Sequence, residues 1–116
     1  MDAGPEASAP REALEGDGEV FTTGLILQEL LQGVTGPIHR QAIVDRFAAL
    51  PLLVPTRSDH VEAAALRNLC RRSGVRVGTV DALIAQLAIR FECSLLTADR
   101  DFRHTSRLVP LTLADT

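Results

Sequence analysis

Apolar residues recur along this chain in short clusters divided by glycine, proline and charged residues, the pattern of brief strands alternating with helices. Val20, Phe21 and Thr22 form a short strand candidate. Leu25 to Gln32 reads as a helix closed by Gly33. Pro37 suits the first turn of a second helix reaching about Leu50. Leu52, Leu53 and Val54, held between Pro51 and Pro55, read as a brief strand or extended link. Ser58 or Asp59 is placed to cap a third helix, with Glu62 three residues after Asp59 as in a capping box, and Gly74 ends it. Gly78-Thr79 opens a helix whose buried face would be Val80, Leu83, Ile84, Leu87, Ala88 and Phe91. Residues 94–97 and 108–113 complete the set as apolar strands. The alternation predicts an α/β domain with a short parallel sheet covered by helices on both faces.

The beginning of the chain reads differently. Residues 1–11 hold glycine, proline, alanine, serine and acids, and Met1 is the one large apolar residue, so this segment is expected to be disordered. The folded domain is expected to span residues 12–116. Residues 11–15 read as the end of a helix, stopped by Gly16 and Gly18.

The chain has 116 residues with 46% hydrophobic composition, enough for one compact core. No apolar run approaches the ~18 residues of a membrane span, and no basic start leads into an apolar stretch. Cys70 and Cys93 lack metal-type spacing and read as buried bystanders, which fits a cytoplasmic setting. The net charge of −3 conceals an asymmetry: residues 1–19 carry six acids and one arginine, while the remainder carries nine acids and eleven arginines. This balance neither demands nor excludes a nucleic-acid substrate. Arg67, Arg71, Arg72 and Arg76 form a basic stripe around one helix end, suited to RNA phosphates or to simple solvation of that end. His39, His60 and His104 lack ligand spacing. Phe21, Phe47, Phe91 and Phe102 read as core and not as a base-stacking platform.

The acids carry the candidate chemistry. Glu29 falls within the apolar arc of its helix, Asp81 lies in the first turn of the best-patterned helix, and Asp99 follows an apolar strand with Asp101 two residues on. Each also admits an ordinary role. Asp81 can complement a helix dipole, Asp99 and Asp101 can be turn residues, and Glu29 can sit at a rim. If they converge, carboxylates ~4 Å apart repel by ~4 kcal/mol per pair at an effective dielectric near ~20, which calls for a cation, retained protons or both. Oxygen-only ligands favour magnesium or manganese.

Three stretches resemble the PIN-domain ribonucleases of the VapC toxin family. They are Thr22-Thr23-Gly24-Leu25-Ile26-Leu27-Gln28-Glu29-Leu30-Leu31-Gln32-Gly33, Gly78-Thr79-Val80-Asp81-Ala82-Leu83-Ile84-Ala85, and Leu95-Leu96-Thr97-Ala98-Asp99-Arg100-Asp101-Phe102. The resemblance covers about residues 11–116. It implies a three-layer α/β/α domain that cuts RNA with Mg2+ or Mn2+, as the toxin of a type II toxin–antitoxin pair. Glu29, Asp81 and Asp99 would be the second, third and fourth conserved acids and would hold the metal. Asp101 would support them, and Thr97 would bond a water at the site. Arg100, Arg103 and Arg71 are the candidates for RNA contact. A VapB-type antitoxin and a homodimer are the implied partners.

The family opens on an apolar strand ending in aspartate, central in the sheet. Nothing before Val20 matches it, so the chain reads as N-terminally truncated, with its first strand and first catalytic aspartate missing. A start assigned too far downstream, a truncated relic, or a strand supplied by a partner would each account for this. An empty central position would leave both neighbouring strands unpaired, at ~1–3 kcal/mol per buried backbone group. The alternative to an active enzyme is therefore an inactive PIN remnant that only binds antitoxin or a second copy.

Overall fold

The computed structural model describes residues 13–17, 19–97 and 101–114, without the side chain of Asp101. The segment 1–11 expected to be disordered lies outside these residues, as do Asp99 and Arg100. Four strands form one sheet: β1 (Ala13–Gly16), β2 (Glu19–Phe21), β3 (Ser94–Leu96) and β4 (Thr112–Leu113). The helices are α1 (Gly24–Gln32), α2 (Pro37–Phe47), α3 (Arg57–Arg72), α4 (Thr79–Arg90) and the short α5 (Asp101–Thr105). None of the described helices is long and apolar enough to cross a membrane.

The sheet order is β2-β1-β3-β4. β1 runs antiparallel to both its neighbours, with Leu14 opposite Phe21 on one side and Leu95 on the other. β3 and β4 are parallel. The α/β expectation holds, but the sheet is mixed, not parallel. The central position is not empty either. Residues 13–16, read from sequence as a helix end, fill it as a strand. Ala13 and Leu14 are both fully buried, which marks a strand covered on both faces. Two flanking edges with unmet hydrogen bonds outweigh the helix preference of Ala-Leu-Glu. Asp17, at φ 53°, leaves β1 in the left-handed conformation that a tight turn into β2 uses. At the end of β1, a Cβ on Gly16 would meet the Cys93 sulfur at 3.2 Å, tighter than ordinary van der Waals contact.

Most other elements fall where the pattern placed them. Thr23 caps α1 by accepting a hydrogen bond from the Ile26 N–H at 3.2 Å, and Gly33 closes it. Pro37 opens α2. Leu52 and Leu53 pair with the end of β2: the Leu53 N–H donates to the Thr22 carbonyl at 2.8 Å. The cap of α3 is Thr56, not Ser58 or Asp59. Asp59 occupies the third helical position and closes a reciprocal capping box with Thr56.

α4 is the most enclosed helix, with Ala82, Leu83, Ile84, Ala85, Leu87 and Ala88 all buried. Its broad contact with α3 is the most extensive between described elements. Phe47 and Phe102 join the core and Phe21 packs against it, but Phe91 is exposed and lies under the Arg90 guanidinium, 4.0 Å from its ring centre. The reason is position: Phe91 is the C-cap of α4, beyond the last turn that faces the core. Both cysteines are buried and unpaired, as expected.

Candidate functional site

Strand direction decides which side chains meet. β2 and β3 both run antiparallel to β1, so their carboxyl ends lie at one end of the sheet. There β3 ends at Thr97, and β2 ends at Thr22 and Thr23. α4 is joined to β3 by three residues, 91–93, so it doubles back along the sheet and begins at the same end. Asp81, in its first turn, is thereby brought to the carboxyl end of β3. The Asp81 carboxylate lies against Gly78, where a Cβ would meet Oδ2 at 3.9 Å.

Asp81 and Thr97 are half-buried. Each takes part in a polar or electrostatic contact, as does the buried Thr105 of α5. Thr22 is fully buried, and its hydroxyl has no hydrogen-bond partner among the described residues. A buried, unmet hydroxyl is uncommon and costs ~1–3 kcal/mol, so its position at this end is informative. Phe102, 2% exposed, and Thr105 anchor α5 in the core directly after the segment that follows Thr97.

Glu29 is exposed on α1, two turns beyond the Thr23 cap. Its position on the helix falls between those of Leu25 and Ile26, as expected, but its side chain is exposed. Arg71 and Arg103 are exposed on α3 and α5. Asp99 and Arg100 lie outside the described residues, as does the side chain of Asp101. Among the described residues no three histidine, cysteine or acidic side chains form a metal-holding group. The oxygen donors on the elements at this end are a carboxylate and hydroxyls, one of them unmet among the described residues. An all-oxygen set of this kind fits a hard divalent cation.

The direction of β1 has the opposite effect on its own acids. Ala13 pairs with Leu96 at the site end, while Glu15 pairs with Ser94 at the far end. The acid that follows this apolar strand, Asp17, therefore lies at the end of the sheet away from Thr97. It sits close enough to Cys93 to act on it: burial pushes the Cys93 thiol up, and the Asp17 charge adds to the effect.

One buried acid was read from sequence only as a cap. Asp59 is 0% exposed and joins the start of α3 to the end of α4 through Arg90 Nε at 2.7 Å, the one ion pair among the described residues. Burial raises its pKa, but the Thr56 N–H, Arg90 and Gln86 together outweigh burial and hold the carboxyl below its usual range. The signal was available in part, since Thr56-x-x-Asp59 is itself a cap-and-return spacing. Its partner, thirty-one residues away, was not. The pair fixes α4, and with it the position of Asp81.

A strand-ended acid site of this kind, on a mixed sheet, agrees with comparison to known families: the model of the PIN domain matches residues 2–108. With that match spanning most of its length, the chain belongs to the PIN-domain family, whose members are generally nucleases that need divalent metal.

Proposed function

We propose that this PIN domain is a metal-dependent endoribonuclease of the VapC toxin type, acting on RNA with Mg2+ or Mn2+. Glu29, Asp81 and Asp99 would hold the metal, with Asp101 supporting. The observation that supports the reading is that β2 and β3 finish at one end of the sheet, where Thr97 and the unmet, buried Thr22 hydroxyl follow them and α4 begins with Asp81 in its first turn. Bound divalent ions would supply a more acidic water and charge stabilisation on the leaving oxygen.

The chain's own part is orientation. The start of α4 favours negative charge at Asp81 through its unpaired N–H groups. Thr97 can hold a water by hydrogen bond. The attacking water forms the new P–O bond as the bond to the leaving ribose oxygen breaks, and a site carboxylate takes its proton. Arg100 and Arg103 would meet the non-bridging phosphate oxygens. A cytoplasmic setting, a VapB-type antitoxin and a homodimer complete the proposal. Titration with Mn2+ alongside cleavage of single-stranded RNA tests it. Saturable binding below millimolar metal and metal-dependent cleavage are expected; no binding at millimolar Mn2+ would reject it.

A second reading is favoured by the direction of β1. The central strand carries its following acid, Asp17, away from the site, so it supplies no carboxylate from its exit end. On that reading the chain is an inactive PIN remnant that binds antitoxin or a second copy. Antitoxin binding or dimerisation without cleavage at any Mn2+ concentration would select it.

A further inference from the structure

Three arginines line one groove beside the start of α4. Arg67, Arg71 and Arg76, with Gly74, Val75 and Val77, enclose about 430 Å³. Among the described residues no carboxylate lies within salt-bridge distance of any of them, since the single ion pair is Asp59–Arg90. Like charges gathered without a counter-charge repel one another, and the arrangement is relieved by an anion.

Two of the three are held in place. Arg67 donates from Nε to the Val77 carbonyl at 2.9 Å, which leaves its outer nitrogens available. Arg71 donates from Nη2 to Asn68 Oδ1 at 2.6 Å. The turn that carries Arg76 depends on Gly74 at φ 80°, a backbone conformation that side-chain-bearing residues seldom adopt.

The groove also has a direction. α3 and α4 pack as an antiparallel pair: the start of α3 meets the end of α4 at Asp59–Arg90, and the end of α3 meets the approach to α4 at Arg67–Val77. Val77 lines the groove, and the next residue, Gly78, stands beside the Asp81 carboxylate, whose Oδ2 would lie 3.9 Å from a Cβ at that position. The basic groove and the acid site thus share one short stretch of backbone.

We propose that Arg67, Arg71 and Arg76 form a phosphate-binding groove that grips the backbone of single-stranded RNA next to the scissile bond at Asp81. This rests on the nuclease reading for its substrate but does not require cleavage. Guanidinium forks match phosphate oxygens two at a time, and contacts of this kind set position and register without reading bases. Arg71 and Arg76, both exposed, are the direct contacts; Arg67 also fixes the loop.

The test is binding of a fluorescently labelled single-stranded RNA, followed by anisotropy in EDTA over a range of salt concentrations. The Arg71→Ala/Arg76→Ala double variant is expected to bind about tenfold more weakly at low salt, and its log–log salt slope to fall by roughly 1, near the value for lost phosphate contacts on a single strand. Lysine at both positions should restore much of the affinity. Asp81→Asn should leave binding in EDTA intact, so a dead metal site and a missing groove give different results. The proposal is overturned if the wild-type chain does not bind the RNA at low salt. It is also overturned if the double variant binds equally well with an unchanged slope while its melting temperature matches wild type. Binding of an acidic peptide in place of RNA would assign the groove to a protein partner and equally reject it.

Discussion

The two ends of this four-stranded sheet are built from the same strands yet carry different chemistry. At one end β2 and β3 finish and α4 begins, so Thr22, Thr97 and Asp81 belong to the same end of the sheet, with an arginine groove on the approach to α4. At the other, the β1–β2 hairpin and the α4–β3 connection bring Asp17, Glu19 and Glu92 around the buried Cys93 and two phenylalanines, Phe21 and Phe91. Both ends hold carboxylates. At the first, the parallel strands β2, β3 and β4 finish and α4 begins, the arrangement that gathers ligands in open α/β sheets. The difference teaches that an acid's place depends on strand direction more than on sequence neighbours. Asp17 follows an apolar strand, as an acid of the site should, but that strand runs the wrong way.

The strand that divides the two ends is the strongest point at which to break the comparison. Leu14 is 0% exposed at the centre of β1, and Leu14→Ala is expected to cost about 2–5 kcal/mol in urea unfolding. A cost below ~0.5 kcal/mol, the order of an ordinary surface change, would mean β1 is not an inner strand. Next is the Asp59–Arg90 pair that sets α4 in place. Arg90 is 37% exposed, so solvent screening reduces the loss, and Arg90→Ala should cost about 1–3 kcal/mol.

The same pair predicts a pH dependence. Asp59 has a lowered pKa when folded, so its stabilisation is complete above the ordinary value of 3.8 and fades as pH falls through and below it. Acid unfolding of Arg90→Ala should show a shallower loss over that range than wild type.

Between the ends themselves, Asp81→Asn is expected to weaken Mn2+ binding at least about tenfold, while Asp17→Asn leaves it unchanged. Equal losses in calorimetric titration would place metal at both ends or at neither. The smallest effect concerns Cys93. It should react slowly with thiol reagents at neutral pH, because burial raises its pKa. Removing the neighbouring charge in Asp17→Asn should speed the reaction by about two- to threefold, the scale of one exposed charge. No change in rate would separate Asp17 from Cys93.

Much of this was legible in the chain. The spacing of Leu83, Ile84, Leu87 and Ala88 defined α4 because a helix that buries one face must repeat near every 3.6 residues. Thr23, Gly33 and Pro37 marked helix ends because their side chains or backbone suit unpaired termini. The hairpin was missed although Asp17-Gly18 is a strong turn signal. Two flanking glycines and an Ala-Leu-Glu run matched a helix stop equally well, and nothing local measures the demand of two distant strands for a partner. Asp59 was similar: its cap role is local, but its ion pair joins residues far apart in the chain.

By itself, then, the sequence determined most of the elements and their ends, and which acids and arginines are candidates, because these follow from periodicity, capping and side-chain type over a few residues. Tertiary structure alone decided that residues 13–16 become an inner strand, that it runs antiparallel, and that Asp17 lies at the end of the sheet away from Asp81. Those outcomes depend on backbone hydrogen bonds between strands some eighty residues apart, and only the folded chain brings them together.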